Sequence, residues 1–207
     1  MPGISRSERC AALCAFDRQW RGEGLAVAGM DEAGRGPLAG PVVAACVVMP
    51  PESAILWVDD SKKLSETRRE KLYDEICREA MAWGVGMADP EEIDRINILE
   101  ATREAMRRAA AQVRADVFLI DAVQGLGLAG REVPIIRGDA SSYSIAAASI
   151  LAKVTRDRMM RELDSRHPAY GFARNKGYGT AEHIRALREI GPCEIHRRSF
   201  IGHFVAP

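Results

Sequence analysis

The sequence predicts an α/β protein, one sheet with helices packed on it, extended at its C-terminal end by a small helical piece. Three observations carry this. Five short apolar runs of β character fall at about 25–32, 41–49, 83–88, 117–120 and 133–136. Stretches of helical periodicity lie between and after them, and strands alternating with helices build a sheet covered by helices. The 207 residues, 47% apolar and 28% charged, suffice for one domain with a core, and no internal repeat or low-complexity tract suggests another architecture.

The elements follow in order. Residues 5–20 have helical spacing, with Ala11, Leu13, Cys14 and Phe16 near Trp20, and read as a peripheral helix ending before Gly22. The strand at 25–32 ends in Asp31-Glu32, and the strand at 41–49 is closed by Pro50-Pro51. Asp59 to Lys63 is a polar loop, and Ser65 is placed to cap a helix in which Leu72, Tyr73, Ile76, Cys77 and Ala80 recur at helical spacing. Trp83 to Ala88 reads as a strand that its glycines make short or bent. Pro90 opens a helix, and Asn97 with Glu100 resembles a capping box for a second one reaching about Val113. Two further strands end at Asp121 and just before Gly138-Asp139, a long helix runs from about Ser142 to Leu163, and a last helix spans about 180–190.

Chemistry gathers around residues 28–43. Two adjacent carboxylates, Asp31 and Glu32, stand where an apolar strand ends, and a loop with glycines at 34, 36 and 40 and Arg35 between two of them follows. Glycines let backbone N–H groups approach an anion or a sugar closely. Carboxylates beside such a loop repel phosphate unless divalent cations intervene, which points to a metal-dependent phosphodiester site. A nucleotide-binding phosphate loop is the rival reading, but no Gly-Lys-Ser/Thr follows the glycines. Asp121 and Asp139 also follow apolar runs, and ligands bind where such strands end, so four acids can converge. For Asp31 and Glu32 to share one site, the strand must end or bend between them, because neighbouring residues of a regular strand face opposite ways. Oxygen ligands without a Cys/His cluster favour Mg²⁺ or Mn²⁺ over zinc. Two such ions about 3.5–4 Å apart can activate water and stabilise a leaving oxygen.

Four ordered blocks carry a family resemblance: Met30 to Pro41, Asp59 to Ser65, Gly138 to Asp157, and Asn175 to Thr180 with His196 to Phe200. Over roughly residues 24–204 the chain resembles ribonuclease HII, the type 2 ribonuclease H family. The resemblance implies a ribonuclease H-like mixed five-stranded sheet. It divides the chain into an N-terminal helical extension (1–23), a catalytic core (24–165) and a C-terminal extension forming part of the substrate cleft (166–207). It implies Asp31, Glu32, Asp121 and Asp139 as the catalytic residues and the ligands of two Mn²⁺ or Mg²⁺ ions. The implied substrates are RNA–DNA hybrids and duplex DNA with embedded ribonucleotides, cut to leave 5′-phosphate and 3′-hydroxyl ends during ribonucleotide repair and replication. Gly34, Arg35 and Gly36 would meet the ribose, and Ser61, Lys62 and Lys63 resemble a phosphate-contacting loop. Tyr178 resembles the family tyrosine that stacks on the neighbouring deoxyribose and bonds the ribose hydroxyl. Arg197 and Arg198, with His196, resemble a backbone-binding patch. Ser141 departs from the pattern, standing where many relatives carry Lys or Asn, and residues 1–22 match no block. A resolvase, a type 1 enzyme or a non-catalytic hybrid-binding module are the alternatives, and the Asp31-Glu32 block with all four acids present argues against each.

The charge pattern is uneven although the net charge is zero. Residues 151–207 carry eleven Lys/Arg against six Asp/Glu and all four histidines, whereas residues 1–150 carry 18 against 23. An acidic half joined to a basic segment suits a nuclease. Lys153 and Arg156 on the long helix could face solvent or substrate, and His167, His183 and His203 lack a recognisable partner. Five scattered cysteines at 10, 14, 46, 77 and 193 read as reduced thiols, and nothing resembles a signal core or a membrane span. A cytoplasmic, monomeric protein is expected.

Overall fold

The computed structural model describes residues 5–22 and 24–205. The outermost residues of the two expected extensions lie outside that range. Five strands form one mixed sheet: β1 (Val27–Ala33), β2 (Val42–Val48), β3 (Ala82–Ala88), β4 (Val117–Asp121) and β5 (Arg131–Ile135), in the order β3-β2-β1-β4-β5. β1 pairs antiparallel with β2 and parallel with β4, so β1 and β4 end side by side at the same edge.

Period-two alternation sorts the side chains to two cores. Ala28 and Met30 of β1, Ala44 and Cys46 of β2, and Phe118 and Ile120 of β4 pack beneath α3 (Pro90–Ile96) and α4 (Ile98–Ala110). On the other face, Ala45 and Val47 pack with α1 (Arg6–Arg18), α2 (Glu66–Glu79) and the long α5 (Tyr143–Arg166). β1 is the strand that α5 approaches most closely: a Cβ on Gly29 would lie 2.0 Å from the Ser144 carbonyl carbon. The glycines of β3 neither shorten nor bend it, for its seven residues pair along β2 without a break. Their reason is the helix above, since a Cβ on Gly86 would stand 2.1 Å from the Ala105 carbonyl oxygen.

Local sequence explains the helix starts. Ser65 and Asn97 accept from backbone N–H groups of α2 and α4, as their positions require. The N-terminus of α5 is capped twice, by Ser142 within the chain and by Asp17 from α1, which accepts from the Ser142 and Ser144 hydroxyls (both 2.6 Å) and the Ser144 N–H (2.7 Å). The residues beyond α5, including α6 (Phe172–Asn175), α7 (Ala181–Ile190) and α8 (Arg198–Ile201), form a smaller cluster around Tyr170, Phe172 and Leu187. No described helix is long and apolar enough to cross a membrane.

Candidate active site

Two parallel neighbours deliver the first two acids. Asp31 on β1 and Asp121 closing β4 lie on the sheet face that α5 covers, and Asp139 sits in the single turn (Gly138–Ala140) just before that helix. Carboxylate oxygens of all three come within 4.8 Å of one another. The turns beside them are tightly specified. Ala122 and Arg137 hold positive φ angles of 53° and 56°, and Asp121 Oδ1 accepts the Gly138 N–H at 2.7 Å, tying the end of β4 to the turn that carries Asp139.

The expected bend between Asp31 and Glu32 is absent. β1 stays in register with β2 through Asp31↔Ala45, Glu32↔Ala44 and Ala33↔Val43. The pleat therefore gives Asp31 to the trio and sets Glu32 apart from it. Glu32 still lines the same cleft, with Oε1 3.5 Å from Arg35 Nη1 and a buried Oε2 that has no hydrogen-bond partner.

The acids repel each other in a water-poor setting. Burial first, then Glu32, Asp121 and Asp139, push the Asp31 carboxyl well above the usual carboxylate range. Burial also raises Asp121 and Glu32, the latter against the opposing charge of Arg35. Lys62 is the cation set against them, its Nζ 3.5 Å from Asp139 Oδ2. Burial works against its charge, but Asp139, Asp31 and Asp60 together hold its ammonium above the ordinary lysine value. The Lys62 ammonium and the Arg35 guanidinium together do not neutralise four acids. Oxygen donors only, an orphaned Glu32 oxygen and excess negative charge fit a hard divalent cation. Asp31, Asp121, Asp139 and Glu32 are the residues able to hold it.

The cleft, about 230 Å³, is lined by Asp31 to Gly36, Ser61, Lys62, Lys153 and Tyr178. Gly34, Arg35, Gly36, Ser61, Lys62 and Tyr178 are thus brought together as the sequence suggests. Tyr178 stands 44% exposed at the lip, and a Cβ on Gly36 would lie 4.0 Å from its Cε1. Lys63 turns instead toward Asp59 and Asp60, at 3.9 Å from each. Ser141 donates to the Arg137 carbonyl at 3.2 Å.

The reading of Arg197 as a phosphate contact is corrected. Its side chain is fully buried and donates to the carbonyls of Gly40 (2.9 Å), Arg35 (3.0 Å) and Gly34 (2.6 Å). Burial, with Arg156 nearby, pulls its pKa down to about 9. Arg156 faces neither solvent nor substrate. It donates to Pro41, Ala39 and Lys176 carbonyls, so two buried guanidiniums grip the glycine loop from behind. A trans peptide holds its C=O and N–H in opposite directions, so the N–H groups of Arg35 and Gly36 face away from Arg197. His196 is buried against His183, and Arg198 is exposed on α8, whose first N–H bonds to Asp94, outside the cleft lining. Much of the C-terminal basic surplus is therefore engaged within the protein, Lys153 being the member that lines the cleft. Besides the two clamps, Arg158 and Arg161 pair with Glu70, and Arg174 with Glu182.

One contribution the sequence leaves open between solvent and substrate, and another it does not show. Lys153 lines the cleft, oriented by Asp157 at 2.7 Å, a pairing its four-residue spacing makes possible without announcing. The unmatched N-terminal helix supports the site, because Arg9 bonds both Asp59 (2.8 Å) and the Ala140 carbonyl (2.9 Å). It thereby ties the loop of Lys62 to the turn of Asp139. No local sequence signal marks either contact.

Fold and site together define a ribonuclease H-like nuclease. The family model described as Ribonuclease HII matches residues 28–203. A Ribonuclease HII from Ruminiclostridium cellulolyticum is 53% identical over 96% of this chain and 79% of its own length. One from Geobacter metallireducens is 56% identical over 88% of this chain and 87% of its own. A solved structure of the PCNA:RNase HII complex from Archaeoglobus fulgidus contains a chain that superposes with a TM-score of 0.75 at 28% identity, over 86% of this chain and 96% of that one. The chain belongs to the ribonuclease HII family and is an endoribonuclease of the ribonuclease H type 2 class.

Proposed function

We propose that this protein hydrolyses the RNA strand of RNA–DNA hybrids and incises 5′ to single ribonucleotides in duplex DNA, leaving 5′-phosphate and 3′-hydroxyl ends. The observation that carries the reading is the aspartate trio, within 4.8 Å and beside a backbone loop that presents N–H groups. Asp31, Glu32, Asp121 and Asp139 would hold two divalent ions, Mg²⁺ or Mn²⁺. Such ions supply an activated water and charge stabilisation for the leaving oxygen.

The chain's own residues do the rest. The clamped N–H groups of Arg35 and Gly36 meet the ribose, whose 2′-hydroxyl alone distinguishes it from deoxyribose. Rigid peptide planes make that recognition sharp, because they need no rearrangement on binding. Tyr178 at the lip offers its ring to the neighbouring deoxyribose, whose face lacks a protruding hydroxyl, and selects the RNA-to-DNA step. Lys62, Ser61 and Lys153 contact backbone phosphate and screen it from the acids. The division into core (24–165) and cleft-forming extension (166–207) follows, since the extension supplies Tyr178. The free cysteines suit a reducing cytoplasm, where the enzyme acts as a monomer.

Cleavage-site mapping on duplex DNA containing one ribonucleotide, with Mg²⁺, Mn²⁺ or chelator, tests the reading. A single cut 5′ to the ribonucleotide that needs the ion, and that Asp121→Asn abolishes without unfolding, is the expected result. Cutting that persists in chelator, or near wild-type turnover in Asp121→Asn, would falsify it.

A further inference from the structure

The three histidines at 167, 183 and 196 gather behind the cleft, and two of them make a chain that ends on the cleft's aromatic residue. His183 and His196 are fully buried, with Nε2 facing Nε2 at 2.9 Å. The hydrogens along this chain have one consistent arrangement. His183 Nδ1 lies 2.9 Å from the Tyr178 carbonyl oxygen, an acceptor only, so Nδ1 carries the proton and His183 Nε2 accepts. His196 therefore donates through its Nε2–H. Its Nδ1 is left as the acceptor for the Cys193 N–H at 3.0 Å. The Cys193 Sγ also lies 3.2 Å from that Nδ1, and in this arrangement both rings are neutral.

The rings cannot drift. Phe172 meets His183 edge-on at 5.3 Å, and Tyr170 meets His196 at 4.8 Å. Burial depresses the basicity of both, to about 4 for His196. The far end of the chain is equally fixed, since Ala39 pairs with His196 in an isolated bridge and Leu38 accepts the Arg197 N–H at 2.9 Å. At the near end, the Tyr178 carbonyl also accepts the Thr180 N–H at 2.8 Å, and the Gly177 carbonyl takes the Leu38 N–H at 2.8 Å. The Tyr178 backbone thus hangs between the glycine loop and the histidine pair. Its half-exposed ring has Lys153 and Arg156 about it, at 6.0 and 5.9 Å from the centroid.

We infer that the buried His183–His196 pair is a positioning device that fixes the Tyr178 backbone at the cleft lip and thereby sets the preference for an RNA-to-DNA junction. Neither histidine touches substrate. The consequence for selectivity rests on the proposed role of Tyr178; the positioning itself does not.

Two variants and two readouts decide it. In His183→Leu the donor to Tyr178 is gone, whereas in His183→Asn the side-chain Nδ2 takes the place of Nδ1 and restores it. Amide hydrogen exchange across 176–182 should quicken about tenfold in the Leu variant, as loss of one buried hydrogen bond implies, and return to near the wild-type rate in the Asn variant. The ratio of kcat/KM on a single-ribonucleotide duplex to that on an all-RNA hybrid should fall about tenfold in the Leu variant and recover in the Asn variant. Unchanged exchange in folded His183→Leu overturns the positioning claim. Changed exchange with an unchanged ratio overturns the claim on selectivity. If Tyr178→Ala itself leaves the ratio unchanged, the reading of Tyr178 fails instead, and exchange still judges the positioning. Histidine ¹⁵N spectra of the wild-type chain need no variant: Nδ1–H on His183 and Nε2–H on His196 are expected, and any other pair of tautomers overturns the chain as drawn.

Discussion

Replacing Arg197 by Met separates two accounts of one residue. A surface arginine on a phosphate would leave stability untouched, weaken substrate binding and lower the salt slope by roughly one unit. The buried clamp predicts something else. Arg197→Met removes the donors to Gly34, Arg35 and Gly40 and strips the buried Gly34 and Gly40 carbonyls and the part-buried Arg35 carbonyl of this partner. Each unsatisfied buried acceptor costs about 1–3 kcal/mol, but losing a desolvated charge and relaxing the loop return part of this. A net loss of about 3–5 kcal/mol follows, which for a chain of 207 residues lowers Tm by roughly 6–20 °C. Urea unfolding of wild type and variant at neutral pH measures it, and binding against salt in an Asp121→Asn background supplies the second readout. Arg197→Lys should recover little, because one ammonium cannot reach three carbonyls that a planar fork spans. A variant within about 1 kcal/mol of wild type, with its salt slope reduced, would return Arg197 to the phosphate surface.

Three other outcomes are expected. In chelator, Asp31, Glu32 and Asp121 hold protons to higher pH when folded than when unfolded, so their contribution to stability is fully present below the ordinary carboxylate values and is lost as pH rises through the raised ones. Asp31→Asn should flatten that fall and make the metal-free protein more stable than wild type near neutral pH; thermal melts with the same slope in both proteins would contradict this. Lys62→Ala should lower the salt slope of hybrid binding by about one unit and Lys63→Ala by less, because Lys63 is held by Asp59 and Asp60; equal effects would put both on the phosphates. Gly29→Ala places a methyl group 2.0 Å from the Ser144 backbone, so α5 must move off the sheet at a cost of about 3 kcal/mol, readable by urea unfolding, and a neutral variant would refute the close approach.

Much of the molecule is written locally. The strands, the helices and the caps at Ser65 and Asn97 follow from periodicity and from side chains that satisfy their own neighbouring N–H groups. The nearness of Asp31 and Asp121 was legible too, because both follow apolar runs and strand ends converge when strands run parallel. What the sequence alone could not decide is where long side chains go. Arg156, Arg197 and His196 are as polar as any phosphate ligand, yet their partners are backbone carbonyls and a second histidine, 13 to 163 residues away in the chain. The glycines of β3 give the same lesson, reading as a bend until the helix above them is seen. Helix and strand arise from interactions within a few residues, so the sequence determines them. Which side of a loop an arginine reaches depends on what packs behind that loop, and only the tertiary structure decides it.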